Sequence, residues 1–456
     1  MTQLLIIGGS DAGISAALKV KELAPETSVT VMLSDAFPNY SICGLPFFLS
    51  GEVSHWQNLA HRTQEEITQL GIKLLVNHTA TSIDPSAKIV TAVDRQGQER
   101  RIDYQKLVIA TGATSRKPQI EGLDCPGVYF LRWMGDSFAV HQHLTQNQPK
   151  SALIVGGGYI GMEMADALTL RGLKVTVVEH SPTVLKTVTA SFGQMVSEKL
   201  QSRGINVINE VSVKTIATKN KQLVVTGSNE FEATVDMVLV AVGATPATKL
   251  AQSAGVELGI AGAIKVNRKM ETNIADIYAA GDCVETWHRL LAKKVYLPLG
   301  TTAHKQGRIA GANAIGGHRE FVGSLGTQVV KIFDLAIART GLREDEASLE
   351  GFNPATVETQ ACHHKAYYPG AHQLTIRVTG DLNTGRLLGA QIIGHYHGEV
   401  AKRIDIFATA LHHGMKVEDI ESLDLSYTPP LSSPFDPVQM STQAWCRKHQ
   451  PIPCTQ

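Results

Sequence analysis

Ser151-Ala152-Leu153-Ile154-Val155-Gly156-Gly157-Gly158-Tyr159-Ile160-Gly161 is the stretch that decides the fold. A short apolar run of buried-strand type leads into glycines at G-x-G-x-x-G spacing, with Tyr159 and Ile160 between the last two. Met162 to Arg171 reads as a helix, and Gly172 as its cap. A strand, a tight glycine turn and a helix in this order bring backbone N–H groups and a helix dipole against a pyrophosphate. The next strand, Lys174 to Val178, ends in Glu179. A carboxylate there accepts hydrogen bonds from both ribose hydroxyls and repels a 2′-phosphate. The reading is NADH, with NADPH possible because Lys186 lies nearby.

A second turn of this kind opens the chain. Leu4 to Ile7 precede Gly8-Gly9-Ser10-Asp11-Ala12-Gly13, and Ile14 to Val20 read as a helix. Ser10 takes the middle glycine position, where a small side chain still allows close approach. After the strand Val29 to Leu33, Ser34 and Asp35 are the candidate adenosine-ribose ligands. Ala110-Thr111-Gly112 and the VGATP turn with Gly243 end two further apolar runs in small residues. Gly281-Asp282 ends another strand, and an acid there can bind the ribityl hydroxyls of a flavin. Leu299, Thr301 and Thr302 open a helix running through Ala314. Its N-terminal dipole would stabilise a reduced, anionic flavin. The fold class is therefore α/β, with two Rossmann-like dinucleotide-binding domains.

At 456 residues, 43% hydrophobic and 18% charged, the chain suits a globular protein of two to four domains. Lys+Arg and Asp+Glu both number 42, so composition points to neither nucleic acid nor an anionic membrane. No apolar run is long enough to span a bilayer. The first residues read as a strand, not as a signal peptide. Six scattered cysteines fit a reducing, cytoplasmic setting. No pair has zinc-ligand spacing, so no metal is expected, and His363-His364 reads as surface.

Cys43, in Tyr40-Ser41-Ile42-Cys43-Gly44-Leu45-Pro46, has no cysteine close enough for a local dithiol. The apolar residues after Pro46 read as a helix start, which would lower the thiol pKa. Two dinucleotide turns and one such thiol imply electron flow from a nicotinamide through a flavin to sulfur. Asp11 is either a charged neighbour of that sulfur or an N-cap or turn residue. Cys446 and Cys454 are either electron-carrying tail thiols or ordinary unpaired ones. Lys19, Lys21, Arg62 and Lys73 are candidate phosphate ligands or plain surface charges.

The order GGSDAG, ATGA, GGGYIGME, VGATP and AAGD resembles the FAD-dependent pyridine nucleotide–disulfide oxidoreductases over almost the whole length. SICGLPF is similar to the single-cysteine branch, which holds CoA-disulfide reductases, NADH oxidases and peroxidases, and persulfide reductases. The resemblance implies FAD at the first turn and NAD(P)H at the second. It implies an FAD domain over 1–113 and 243–325, an NAD(P)H domain over 114–242, and an α+β dimerisation domain over 326–456. It places Glu163 near the nicotinamide. It also implies a homodimer in which Tyr367 and Tyr427 of one subunit approach Cys43 of the other, with a low-molecular-weight disulfide, persulfide or CoA-thiol as substrate.

The chain departs from that pattern at three points. Asp11 stands where oxidases and peroxidases carry histidine, Ile42 stands where CoA-disulfide reductases carry asparagine, and no rhodanese-like domain is expected after the dimerisation motifs. The alternatives to a sulfur reductase are an NADH oxidase or peroxidase, and a reductase of a ferredoxin- or rubredoxin-type protein.

Overall fold

The computed structural model describes residues 3–449. One five-stranded sheet has the order Ile277–Ala279, Lys106–Ile109, Gln3–Ile7, Ser28–Met32, Ile72–Leu75, all parallel. Leu4 to Ile7 and Leu107 to Ile109 at its centre are apolar and buried, as befits a parallel sheet covered on both faces. Ile7 pairs with Met32 and Ile109, and Ile109 with Ala279. The register therefore sets Gly8, Leu33, Ala110 and Ala280 side by side at the carboxyl edge. Ligands bind at that edge in open α/β sheets. Helix α1 (Asp11–Leu23) leaves the glycine turn.

The segment of Cys43 leads into the short helix α2 (Leu45–Ser50). The chain then crosses to a second parallel sheet, with the order Asn206–Ile208, Lys174–Val178, Ser151–Val155, Met237–Val240, Val128–Tyr129. The crossing out and back runs through Ala113–Ser115 and Ala244–Pro246, which pair antiparallel. Helix α3 (Tyr159–Leu170) follows the second glycine turn. Helix α4 (Gly300–Ala314) returns to the first unit and lies against α1. The two helices meet backbone to backbone: a Cβ on Gly307 would sit 2.1 Å from the Ala12 carbonyl oxygen, and one on Gly311 2.3 Å from that of Ala16.

The last unit is a five-stranded antiparallel sheet over residues 328–395. It is covered by α5 (Val400–His413) and α6 (Pro437–His449). One apolar core joins Leu45, Phe48 and Leu49 of α2 to Met162 and Ala165 of α3 and to Val330, Ile332 and Ile393 of the last sheet. Cys43 thus sits beside a three-way junction. The molecule is an α/β protein with two dinucleotide-type units and an α+β unit.

Candidate active site

The first turn is closed by its glycines. Gly8 has φ +120°, and a Cβ there would lie 2.0 Å from the Ala110 oxygen, while one on Gly13 would lie 1.9 Å from the Gly8 oxygen. Ser10 caps α1 through its backbone alone, which leaves its hydroxyl free of capping duty. Asp11 is the first helical residue, so it is not the cap. Ser34 is exposed, whereas Asp35 is half-buried and accepts a hydrogen bond from the Phe37 amide at 2.9 Å. Burial raises the Asp35 carboxyl. Thr111 donates to the Ala247 carbonyl at 2.7 Å, and Gly112 has φ +67°. The Gly281 amide donates to Gln306 Oε1 at 3.0 Å. The Asp282 carboxylate pairs with the Arg132 guanidinium. Leu299 precedes α4, Thr301 is exposed, and Thr302 donates to Ser324 Oγ at 3.2 Å.

Around Asp11 the structure adds residues that the motifs did not reveal. His304 of α4 places Nε2 3.4 Å from Asp11 Oδ1, and its ring stands 6.4 Å from that of His61. Gly300 opens α4 against the same carboxylate, where a Cβ would come within 3.2 Å of Oδ2. No sequence motif marks His61, His304 or Arg132; only the packing of distant elements brings them here.

Cys43 lies in a single 3-10 turn, Ile42–Gly44, with its side chain at the surface of the junction. Although the side chain reaches the surface, the protein packed around the sulfur desolvates it and pushes the thiol up, and the carboxylates of Glu163, Asp11 and Asp282 push it further. The Arg132 guanidinium opposes them without prevailing. These protein groups oppose the lowering expected from the helix start. α2 begins two residues after Cys43, and the surrounding charge is mostly negative.

The second turn repeats the first. Gly156 has φ +108°, and a Cβ on Gly161 would sit 2.0 Å from the Gly156 oxygen. At Gly158 a Cβ would meet no protein atom within 4 Å. The backbone of the turn is therefore open to an approaching group at Gly158. Gly243, at φ +106°, is equally open. Tyr159 opens α3 and accepts a hydrogen bond from Thr187 at 3.0 Å, with Ile160 half-buried beside it. Burial and the neighbouring Asp166 raise Glu163 to about 7, against the pull of Lys331. Glu179 is buried, and its carboxylate accepts from the Gly157 amide at 2.6 Å and the Ser181 amide at 2.8 Å. It therefore braces the turn from below at the edge where a ribose would lie.

Tyr367 and Tyr427 are 73% and 45% exposed. Tyr367 is on the hairpin loop between Pro354–Cys362 and Gln373–Asp381, and Tyr427 on the segment before α6. The Lys365 amide donates to the Pro429 carbonyl at 3.3 Å and so joins the two segments.

Other expectations change. His363 and His364 are buried, not on the surface, because the hairpin folds onto α5. Lys19 is buried and paired with Glu22 at 2.5 Å, and Lys21 is taken up by the Pro25 and Thr27 carbonyls. Arg62 and Lys73 stay exposed. Cys446 belongs to α6, not to a tail, and burial pushes its thiol up to about 11. Cys454 lies outside the described residues. Among the described residues no cluster of His, Cys, Asp or Glu is arranged to hold a metal, and no helix is long and apolar enough to cross a membrane.

The family model for pyridine nucleotide-disulphide oxidoreductases matches residues 2–307, and the model for their dimerisation domain matches 327–437. An NAD(P)H sulfur oxidoreductase (CoA-dependent) of Pyrococcus furiosus is 35% identical over 438 residues, 96% of this chain and 97% of that protein. A coenzyme A disulfide reductase of Staphylococcus haemolyticus is 31% identical over 445 residues, 96% of this chain and 98% of that one. The solved NAD-dependent persulfide reductase from A. fulgidus superposes with a TM-score of 0.94 at 34% identity, covering 98% of this chain and 83% of that structure.

Proposed function

The chain belongs to the pyridine nucleotide-disulphide oxidoreductases, and from that premise we propose that it reduces a small disulfide or persulfide through Cys43, with a CoA thiol as the favoured carrier. The observation that carries the proposal is the place of Cys43. It lies two residues before α2, whose Leu45, Phe48 and Leu49 pack against Met162 and Ala165 of α3 in the second unit. A thiol at that junction can meet electrons arriving from a nicotinamide.

FAD, when bound, supplies a two-electron step between nicotinamide and sulfur. Gly8, Ser10, Ala12 and Gly13 would hold its pyrophosphate, Ser34 or Asp35 its ribose, and Asp282 its ribityl chain. Ala110, Thr111 and Gly112 line that edge, and Leu299, Thr301 and Thr302 present the positive end of α4. Gly156, Gly158, Tyr159, Ile160, Gly161, Glu163, Glu179 and Gly243 would hold the NADH. We assign residues 1–113 and 243–325 to the FAD domain, 114–242 to the NAD(P)H domain and 326–456 to the dimerisation domain. The antiparallel link Ala113–Ser115 with Ala244–Pro246 supports the first two boundaries.

In the reaction the Cys43 thiolate attacks one sulfur of R–S–S–R, forms a mixed disulfide and expels RS⁻. A phenol, Tyr427 of the partner subunit or Tyr367 of the partner subunit, protonates that leaving group. Two electrons from NADH then split the mixed disulfide, restoring the Cys43 thiolate and releasing the second thiol. The sum is NADH + H⁺ + RSSR giving NAD⁺ + 2 RSH. For a persulfide the products are RSH and H₂S. The dimerisation-domain match and the exposure of both tyrosines support a homodimer. The five cysteines among the described residues are all free, which supports a reducing, cytoplasmic setting.

A second reading, reduction of oxygen or peroxide, is favoured by one observation: the imidazoles of His304 and His61 beside Asp11. NADH consumption with CoA disulfide, CoA persulfide, polysulfide, peroxide and oxygen decides between the two. The sulfur reading predicts the highest kcat/KM with a CoA-linked disulfide or persulfide. A clear preference for peroxide or oxygen would overturn it.

A further inference from the structure

One guanidinium holds both tyrosine segments from beneath. We propose that Arg403 and Asp436 are positioning residues for the two phenols, an inference that rests on the catalytic reading of Tyr367 and Tyr427. Arg403 lies in the first turn of α5 and is 4% exposed. Its Nη1 donates to the Gly398 carbonyl at 2.8 Å, and its Nη2 donates to the His363 carbonyl at 2.7 Å. Nε and Nη2 together reach the Asp436 carboxylate at 3.1 and 2.8 Å.

Two of those partners, His363 and Asp436, root the tyrosine segments. His363 is the first residue of the hairpin loop that carries Tyr367. Asp436 stands just before α6 and accepts from the Val438 amide at 3.0 Å. It also accepts from the Ser432 hydroxyl at 2.8 Å. The Ser432 and Leu431 amides in turn donate to the Thr428 carbonyl at 3.0 and 2.9 Å, one residue beyond Tyr427. The Lys365–Pro429 hydrogen bond closes the circuit between the loops.

A buried ion pair adds little net stability over an apolar pair of the same volume. What the planar fork adds is direction, because its N–H groups point along fixed lines. The phenols are exposed, so their placement comes from the backbone beneath them. Arg403 therefore sets where two proton donors stand relative to each other, and hence relative to a thiol on the subunit they face.

The test uses the FAD-loaded protein with CoA disulfide as substrate. Arg403→Lys keeps the charge and removes the fork. The expected result is a fall in kcat of about 10-fold or more, the scale of an ångström-sized misplacement. Flavin reduction by NADH, KM for NADH and the dimer should not change. In a Tyr367→Phe/Tyr427→Phe background the same substitution should cost nothing further. Unchanged kcat in Arg403→Lys, or an undiminished further loss in the Tyr→Phe background, overturns the inference. Should Arg403→Lys fail to fold, Ser432→Ala removes only the link from Asp436 to the Tyr427 segment. It should slow CoA disulfide turnover about 2- to 5-fold, and no slowing overturns the inference. Full turnover in the Tyr→Phe pair would instead refute the catalytic reading and remove the inference with it, an outcome distinct from slow Tyr→Phe variants beside an unaffected Arg403→Lys.

Discussion

His304 stands with Nε2 3.4 Å from Asp11 Oδ1, and its other ring nitrogen meets the Ser15 hydroxyl at 2.8 Å. A carboxylate thus occupies the first-turn position beside the thiol, with an imidazole behind it. Burial raises Asp11, while His304 and His61 draw it down. Its negative form in turn raises Cys43, after burial and Glu163. Asp11→Asn should therefore shift the pH profile of Cys43 alkylation by iodoacetamide to lower pH. A shift to higher pH, or none, would show that Asp11 does not act on the sulfur.

We propose that Glu179 sets the choice of nicotinamide cofactor. Its carboxylate is fixed by the Gly157 and Ser181 amides at the end of a strand, where it repels a 2′-phosphate. The protein should prefer NADH over NADPH in kcat/KM. Glu179→Gln should narrow the preference by about 10-fold, the scale of one partly screened charge contact. Steady-state kinetics with a native preference for NADPH would contradict this assignment.

Glu163 should leave a pH signature on stability. Its ordinary value of 4.5 rises to about 7 in the fold, mainly through burial. Between these values the folded state binds more protons than the unfolded one, so stability falls as pH rises through the window. The cost at pH 8 is on the order of 2–3 kcal/mol. Glu163→Gln should be more stable than the native chain at pH 8 and nearly equal at pH 4.5. Urea unfolding at the two pH values checks this. An equal difference at both would show that Glu163 is not held protonated by the fold.

The parts of this architecture that were legible in sequence are local ones. Leu4 to Ile7 and Ala152 to Val155 are uniformly apolar, and the glycines that close each turn follow at once, so strand, turn and helix can be read in order. The start of α4 at Gly300 was also legible, from the small residues after Pro298. The environment of Cys43 was not. Arg132 and Asp282 are 150 positions apart, and Asp11 and His304 lie on helices from opposite ends of the first unit. Glu163 is governed by its burial, then by Asp166, one turn away, and by Lys331 of another unit. The helix start after Cys43 and the candidate neighbour Asp11 are visible in sequence, but nothing local brings Glu163 and Asp282 to act on the thiol. His363 and His364 read as surface because nothing local announces that Arg403 will draw their segment inward. Of the two readings of Cys446, the tail thiol falls because the residue lies within a helix that runs to His449.

The central claim is that electrons leave the protein through Cys43, and Cys43→Ser tests it most directly. Under anaerobic conditions NADH should still bleach the flavin of the variant at a rate within about 2-fold of native, while turnover of CoA disulfide should fall by about 10³-fold or more, as when a nucleophile is removed. Sulfur-substrate turnover retained at near-native rate in Cys43→Ser would contradict the account.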